Sequence, residues 1–384
     1  MDPRLFSPRS PGRLVDATDA LGRRGKAFVP SPLPPVMELG GRELRLALSA
    51  ADQELARLDA LAQQIDRPDL LFGIHLRREA VLSSAIEGTH TSLADLARYE
   101  ATRRQQSDDD PTVENYVRAL KFGLTRVQEI PVGNRLFCEL HEILMEHSDH
   151  RRTTPGRVRD CIVFIGEGTF EGARFVPPPD IFVGELVDNL TDYLVNENEA
   201  ALVKLAIAHY QFEAIHPFRD GNGRIGRLLI SLWLNREGIL RSPTLFLSAF
   251  FEKNKQQYYD ALLRVSTDGD WAVWIGFFLR AVATQSRDAN IRTQHLLALR
   301  EQYKRRLAGP RATMGPSHLV DALFDIPVVT VPGVAKLLGV TYAAAKSTIQ
   351  KLVTAGILTG PDREATGVGF YYAGELIDAI ERDL

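Results

Sequence analysis

The stretch His216-Pro217-Phe218-Arg219-Asp220-Gly221-Asn222-Gly223-Arg224-Ile225-Gly226-Arg227 sets a histidine, a carboxylate, a glycine-flanked amide and the spaced arginines Arg224 and Arg227 in a row. The segment before it, Leu202 to Glu213, has helical periodicity, and so does the segment after it, Ile225 to Leu234. The Gly221-Asn222-Gly223 turn is therefore expected where a helix begins. Backbone N–H groups at such an end point outward without intrahelical partners and bind anions. The stretch reads as a phosphate site with a base beside it.

Each residue type suits one part of that chemistry. A histidine titrates near neutral pH, so His216 can take a proton from an attacking hydroxyl. Asp220 offers a hard oxygen ligand beside the glycine turn, which suits a Mg²⁺ ion that shares phosphate oxygens and keeps several waters. Glycines at 221 and 223 let the backbone approach those oxygens with no Cβ in the way. Arg224 and Arg227, three apart on the first turn of a helix, face one way and can fork onto phosphates. Phe218 is expected to point inward as a packing anchor.

The segment resembles the signature of Fic domains, His-x-Phe-x-Asp/Glu-Gly-Asn-Gly-Arg-x-x-Arg, at every specified position. It looks like the branch that transfers AMP; the branch that phosphorylates its target has Lys where this chain has Gly223. The resemblance implies a protein adenylyltransferase, a nucleotidyltransferase that uses ATP and Mg²⁺. His216 would deprotonate a Ser, Thr or Tyr hydroxyl of a target protein, which attacks the α-phosphate and releases pyrophosphate. Asp220 would hold Mg²⁺, Asn222 with Gly221 and Gly223 would form the anion hole, and Arg227 would bind the γ-phosphate beside Arg224. Tyr258 and Tyr259 fall where the family has an aromatic pair near the adenine, although a helix that buries two tyrosines reads the same way. His209, seven residues before His216, has no third ligand at metal-site spacing and reads as a satisfied core histidine.

Upstream, Ser83-Ser84-Ala85-Ile86-Glu87-Gly88 resembles the inhibitory-helix motif of Fic proteins. Leu71, Ile74, Val81 and Leu82 give the preceding helix an apolar face, and Gly88 suits its C-terminal end. The resemblance implies that Ser83, Glu87 and Gly88 form an inhibitory element in which Glu87 pairs with Arg227 and keeps the γ-phosphate away. Glu87 positioning a water for AMP removal, a de-AMPylating enzyme, is the alternative. Residues 157–176 read as a short hairpin, at the place of the family's flap, where an extended target segment docks by strand addition. Phe164 is expected near the site.

The implied fold class is mainly α: a Fic helical bundle with a small β-hairpin flap, followed by a C-terminal winged helix-turn-helix domain. Expected boundaries are 1–110 for an N-terminal segment with the inhibitory helix at about 68–88, 111–290 for the catalytic domain, 291–317 for a helix and linker, and 318–384 for the appendage. At 384 residues, the chain exceeds the ~250–300 at which one core stops growing. Residues 1 to about 40, rich in Pro and Arg, are expected to be extended. Ser49-Ala50-Ala51-Asp52 reads as a helix start. One helical stretch is expected from Asn254 to Ser286, and Lys304-Arg305-Arg306, Gly309-Pro310 and Gly315-Pro316 as a linker.

Composition narrows the class further. Hydrophobic residues make up 45% and charged residues 25% of the chain, with a net charge of −3. That is ordinary for a globular protein and gives no global attraction to nucleic acid or membrane. Cys138 and Cys161 supply neither a disulfide framework nor zinc spacing, and residues 1–27 lack the apolar core of a secretory signal, so a cytoplasmic location is expected. In the appendage, Lys336, Lys346, Lys351, Arg363 and Arg382 are outnumbered by Asp321, Asp325, Asp362, Glu364, Glu375, Asp378, Glu381 and Asp383. This inventory disfavours DNA and with it the alternative of a transcription regulator with a nucleotide-sensing Fic domain. The expected partners are a target protein at the flap and a second copy of the chain as a homodimer.

Overall fold

The computed structural model describes residues 1–382 except 20, 38–39, 66–68, 103–111, 148–152, 167–168, 197–198, 310–313 and 364–367. In chain order the elements are β1 (Gly12–Thr18), β2 (Arg24–Pro30), α1 (Arg42–Gln63), α2 (Asp69–Ile86), α3 (Leu93–Thr102), α4 (Thr112–Arg126), α5 (Asn134–Leu144), α6 (Asp180–Asn196), α7 (Ala201–Ile215), α8 (Asn222–Arg236), α9 (Ser248–Lys253) and α10 (Lys255–Asp268). The chain continues through α11 (Trp271–Leu307), α12 (Met314–Leu323), β3 (Val328–Thr330), α13 (Val331–Leu338), α14 (Tyr342–Thr354), β4 (Thr359–Arg363), β5 (Gly369–Tyr372) and α15 (Gly374–Glu381). Two compact units result, each assembled from separated stretches of chain: Met1–Ala56 with Asn115–Ser286, and Arg57–Glu114 with Arg287–Leu384.

The first unit is built around α7. Thirteen of its fifteen residues are buried, Lys204 and His209 among them. A helix that is apolar on every side has no solvent face and becomes the centre of its bundle. Phe137 of α5 meets Phe212 edge-on at 5.3 Å, Trp271 meets Tyr210 at 4.9 Å, and the Trp274 indole donates to the Ala206 carbonyl at 2.8 Å. Lys204 lays its ammonium 5.6 Å from the Trp233 ring, the usual way for a long cationic stem to sit in a core.

The second unit packs Ile74 of α2, Leu93 and Ala97 of α3, and Leu296 and Tyr303 of α11 into one core with Leu319, Phe324, Ile349 and Leu352. Its sheet has the order β3-β5-β4, all antiparallel. Arg292, fully buried, pairs with Asp288 at 2.8 Å and donates to the carbonyls of Ala379, Ile380 and Arg382, which end α15. Arg77 joins Glu100 at 2.7 Å and Asp325 at 2.8 Å.

Several expectations need correction. The N-terminal segment is extended, but residues 12–18 and 24–30 are paired antiparallel strands in which Gly12 faces Pro30. A Cβ on Gly12 would come within 2.5 Å of the Val29 carbonyl oxygen, so this glycine serves a close approach rather than a loose tail. Ser49-Ala50-Ala51-Asp52 lies inside α1; Ser49 accepts from Gln53 four residues on, at 3.1 Å, instead of capping. The stretch from Asn254 to Ser286 is two helices, divided by Gly269 in the left-handed region at φ 67. Lys304-Arg305-Arg306 belongs to α11 and Gly315-Pro316 to the first turn of α12; Pro310 and the side chain of Leu71 lie outside the described residues. The flap is a pair of extended arms joined by one bridge, Ile165 to Phe175, with hydrogen bonds of 2.8 and 3.2 Å.

Candidate functional site

His216 ends α7 in the left-handed conformation, φ 52 and ψ 63, its N–H donating to the Phe212 carbonyl. For a residue with a Cβ that conformation is strained and persists only where its surroundings hold it. Arg159, at the foot of the flap, does so: its Nε donates to the His216 carbonyl at 2.8 Å and its backbone N–H to the Pro217 carbonyl at 2.9 Å. The same guanidinium reaches the carbonyls of Cys161, Pro178 and Ile215 at 2.8, 2.6 and 3.2 Å. One buried side chain thus joins both arms of the flap to the end of α7. Burial holds its pKa down to about 10, so it stays a cation at neutral pH.

The loop after His216 closes on itself. The Asn222 side chain accepts from the Phe218 N–H and donates to the Phe218 carbonyl, both at 2.8 Å. Phe218 is fully buried and stacks on His141 of α5 with ring centroids 3.9 Å apart. His141 accepts from the Gly156 N–H at Nδ1, 3.0 Å away, which leaves Nε2–H to donate to the Asp220 carbonyl at 3.1 Å. Burial pushes its imidazole down to about 4, so it is neutral and its tautomer is set. With the loop fixed, Gly221 at φ 78 starts α8 with no side-chain cap. The N–H groups of Asn222, Gly223 and Arg224 are the ones an α-helix leaves without internal partners.

The other expected site residues fall as follows. The Asp220 carboxylate is 56% exposed and accepts from the Gly221 N–H at 2.6 Å, with the Arg224 guanidinium 3.6 Å away. Arg224 is buried against the Met145 sulfur. Arg227, one turn on, is also buried, and its charge helps burial hold His209 down to about 3. His209 is a core histidine: Nδ1 donates to the Gly226 carbonyl at 3.1 Å and Nε2 accepts from the Tyr258 hydroxyl at 2.8 Å. Tyr258 is 1% exposed and stacks on Phe251, whereas Tyr259 is half-buried with Arg174 5.9 Å from its ring. Phe164, on the flap, meets Phe170 edge-on at 6.5 Å. In the second unit, Ser83 is buried, α2 ends at Ile86, and Gly88 adopts φ 92 just past Glu87, which is exposed.

His141 and Arg159 escaped the sequence reading. The signal for His141 was its place on the apolar stripe of α5 with Phe137 and Leu140; Arg159 looked like one charge among several in Arg157-Val158-Arg159-Asp160.

The buried neutral imidazoles give the fold an acid sensitivity. The unfolded chain binds protons on these groups below pH ~6.5, whereas the folded chain resists protonation down to about 4 at His141 and about 3 at His209 and His75. Stability therefore falls as pH drops through that window, by ~1.4 kcal/mol per pH unit for each such histidine, and these groups add no slope at higher pH. Urea midpoints between pH 7 and 5 are expected to decrease toward acid; a flat profile would contradict the assignment.

Among the described residues, no group of three or more His, Cys, Asp or Glu side chains could hold a metal ion, and no helix is long and apolar enough to cross a membrane. Residues 45–125 match the Fic/DOC family N-terminal model and residues 131–234 match the Fic/DOC family model. A probable protein adenylyltransferase of Aquifex aeolicus (strain VF5) is 31% identical over 196 residues, 48% of this chain and 53% of that protein. Protein adenylyltransferase fic-1 of Caenorhabditis elegans is 32% identical over 151 residues, 38% of this chain and 26% of that protein. The chain thus spans about half the length, or less, of these curated relatives. The fold is similar to the crystal structure of a Fic family protein from Desulfovibrio desulfuricans G20, with a TM-score of 0.56 at 22% identity over 88% of this chain and 97% of the other.

Proposed function

We propose, from the matches of residues 45–125 and 131–234 to the Fic/DOC family models, that the chain is a protein adenylyltransferase which moves AMP from ATP to a hydroxyl of a target protein. The observation that carries the reading is the junction of α7 and α8: a histidine held in a strained turn, followed directly by uncapped helix N–H groups and a closed loop. In the reaction, His216 takes the proton of a Ser, Thr or Tyr hydroxyl whose oxygen bonds to the α-phosphorus. The bond to the bridging oxygen breaks, and pyrophosphate leaves with its electron pair.

The N–H groups of Asn222, Gly223 and Arg224 face the developing negative charge, the arrangement that stabilises such a transition state. The Asn222 side chain contributes by closing the loop. Asp220 fits a Mg²⁺ ion: its carboxylate is open to solvent at the loop, and one carboxylate with substrate phosphates is the common set for this metal. When bound, the ion would neutralise phosphate charge. Arg227 is the γ-phosphate partner, and Tyr259, with Tyr258 packed behind it, is the adenine neighbour. The target segment adds to the flap arms around Ile165 and Phe175 by main-chain pairing, and the reaction belongs in a cytoplasmic setting.

Regulation follows from the inhibitory motif. Glu87 pairing with Arg227 would hold the nucleotide in an unproductive pose, and a 99:1 bias toward it needs only ~2.7 kcal/mol, which a charge-assisted pair supplies. With labelled ATP, Mg²⁺ and cell extract, Glu87→Gly is expected to raise AMP transfer by up to ~100-fold, the limit set by that bias. Equal labelling by wild type and variant would end the inhibition reading. Loss of AMP from labelled protein that depends on Glu87 would instead identify the de-AMPylating enzyme.

A further inference from the structure

The element order α12-β3-α13-α14-β4-β5, with the sheet order β3-β5-β4, is that of a winged helix-turn-helix. From where its charges stand, we infer that α14 enters the major groove of duplex DNA, an activity separate from the transfer reaction. Counted as a whole the module is acidic, but α13 and α14 hold none of its acids, and several of those acids are engaged by bases from outside the module. Asp321 is paired with Arg300 at 2.8 Å, Asp325 with Arg77 at 2.8 Å and Glu375 with Arg306 at 2.9 Å, all bases contributed by α2 and α11. Glu381 accepts the Leu93 N–H at 3.2 Å. From Ile326 to Pro361 the chain contains no Asp or Glu and three lysines, Lys336, Lys346 and Lys351. The helix-turn-helix itself carries only positive charge.

Geometry and side-chain chemistry agree. α14 begins at a Thr341 cap and is 13 residues long, about 20 Å at ~1.5 Å per residue. It buries Ala345, Ile349 and Leu352, so Ala343, Ser347, Gln350 and Thr354 lie along the opposite, exposed face. Small and amide side chains in that row fit a groove ~12 Å wide; Gln pairs with the adenine edge, and Ala or Thr meets the thymine methyl. Lys346 beside the row and Lys336 on α13 are exposed where phosphates would pass. Tyr342, 59% exposed at the helix start, adds a hydroxyl of the kind that contacts phosphate. Ser347, Gln350 and Thr354 line one groove with Lys351; the groove's other bases, Lys304 and Arg306, are held by Asp321 at 3.5 Å and Glu375 at 2.9 Å. The ligand chemistry is therefore B-form duplex with A·T pairs in the contacted site. A-form RNA is excluded by its narrow major groove.

The test uses the full chain and a fluorescein-labelled 24-base-pair duplex of mixed sequence, followed by anisotropy at 50 and 200 mM NaCl. Binding at 50 mM that weakens at least tenfold at 200 mM is expected. Lys336→Glu combined with Lys346→Glu, both on the surface, should weaken binding at least tenfold more and lower the salt slope by about two. Gln350→Ala should reduce preference for A·T-rich over G·C-rich duplex while leaving the salt slope unchanged. No binding at 50 mM, binding indifferent to the charge reversals, or equal competition by duplex RNA would overturn the inference. So would self-association lost on Tyr342→Ser without any duplex binding, which would make this face a protein contact. None of these readouts depends on AMP transfer, so the inference and the proposed function stand or fall separately.

Discussion

His216→Ala is expected to lower AMP transfer by about two to four orders of magnitude, the usual worth of a positioned general base. The imidazole is the part of the site that no backbone group can replace. The helix N–H groups, Asp220 and Arg224 belong to the following loop and α8, which Asn222 closes and His141 supports without using the His216 side chain. ATP binding should therefore survive. The measurement is single-turnover transfer beside an ATP titration of the same variant. Loss of rate with unchanged ATP affinity supports the role of base. Loss of both in proportion would mean that His216 acts through the loop's shape, and unchanged rate would remove it from the chemistry. Alanine also relaxes little of the left-handed strain at φ 52, so the comparison reports on the side chain.

The second large effect is structural. Arg159→Met keeps the length of the buried side chain but leaves the carbonyls of Cys161, Pro178, Ile215 and His216 without the donor that now serves them. A buried acceptor deprived of its partner costs about 1–3 kcal/mol. Even allowing for non-additivity and for the desolvation that the cation no longer incurs, several kcal/mol should be lost. That is a large share of the ~5–15 kcal/mol by which domains are stable. Urea midpoints should fall well below wild type. Arg159→Lys should recover only part of the loss, because an ammonium cannot present the planar fork that spans four carbonyls. A midpoint within error of wild type for Arg159→Met would show that these carbonyls find other donors.

The helices were legible where apolar periodicity marked them, as in α2, α7 and α8, and the turn before α8 was legible because its glycines have no other purpose. What the sequence hid was pairing at a distance. Nothing in residues 12–30 announces that Arg24 faces Thr18, since a Pro- and Arg-rich segment reads as extended whether or not it finds a partner. The break at Gly269 was hidden because apolar periodicity resumes in phase after it. At the site, the residues proposed for the chemistry stand in one motif, but those that hold them, His141 and Arg159, are 75 and 57 positions upstream of His216. The Asn222 side chain braces the loop through Phe218, which composition does not show, since it does not say which way an amide turns. The charge count of the appendage has a related limit: a list of ionisable residues has no sides, whereas Asp321, Asp325 and Glu375 are paired with Arg300, Arg77 and Arg306.

The second unit also bears on what can be removed from this protein. Ile74 of α2 and Leu93 of α3 sit in the same core as Leu319, Phe324 and Ile349, and Arg77 ties α2 to Asp325. Cutting the chain at residue 317 would not detach an ornament. It would strip the apolar cover from α2, which carries Ser83 and ends just before Glu87, and strand the Arg77 cation without one of its counter-charges. A shortened protein with altered transfer activity would thus be reporting a damaged support for α2, and the intact chain is the object in which the proposed restraint and the appendage can be separated by single substitutions.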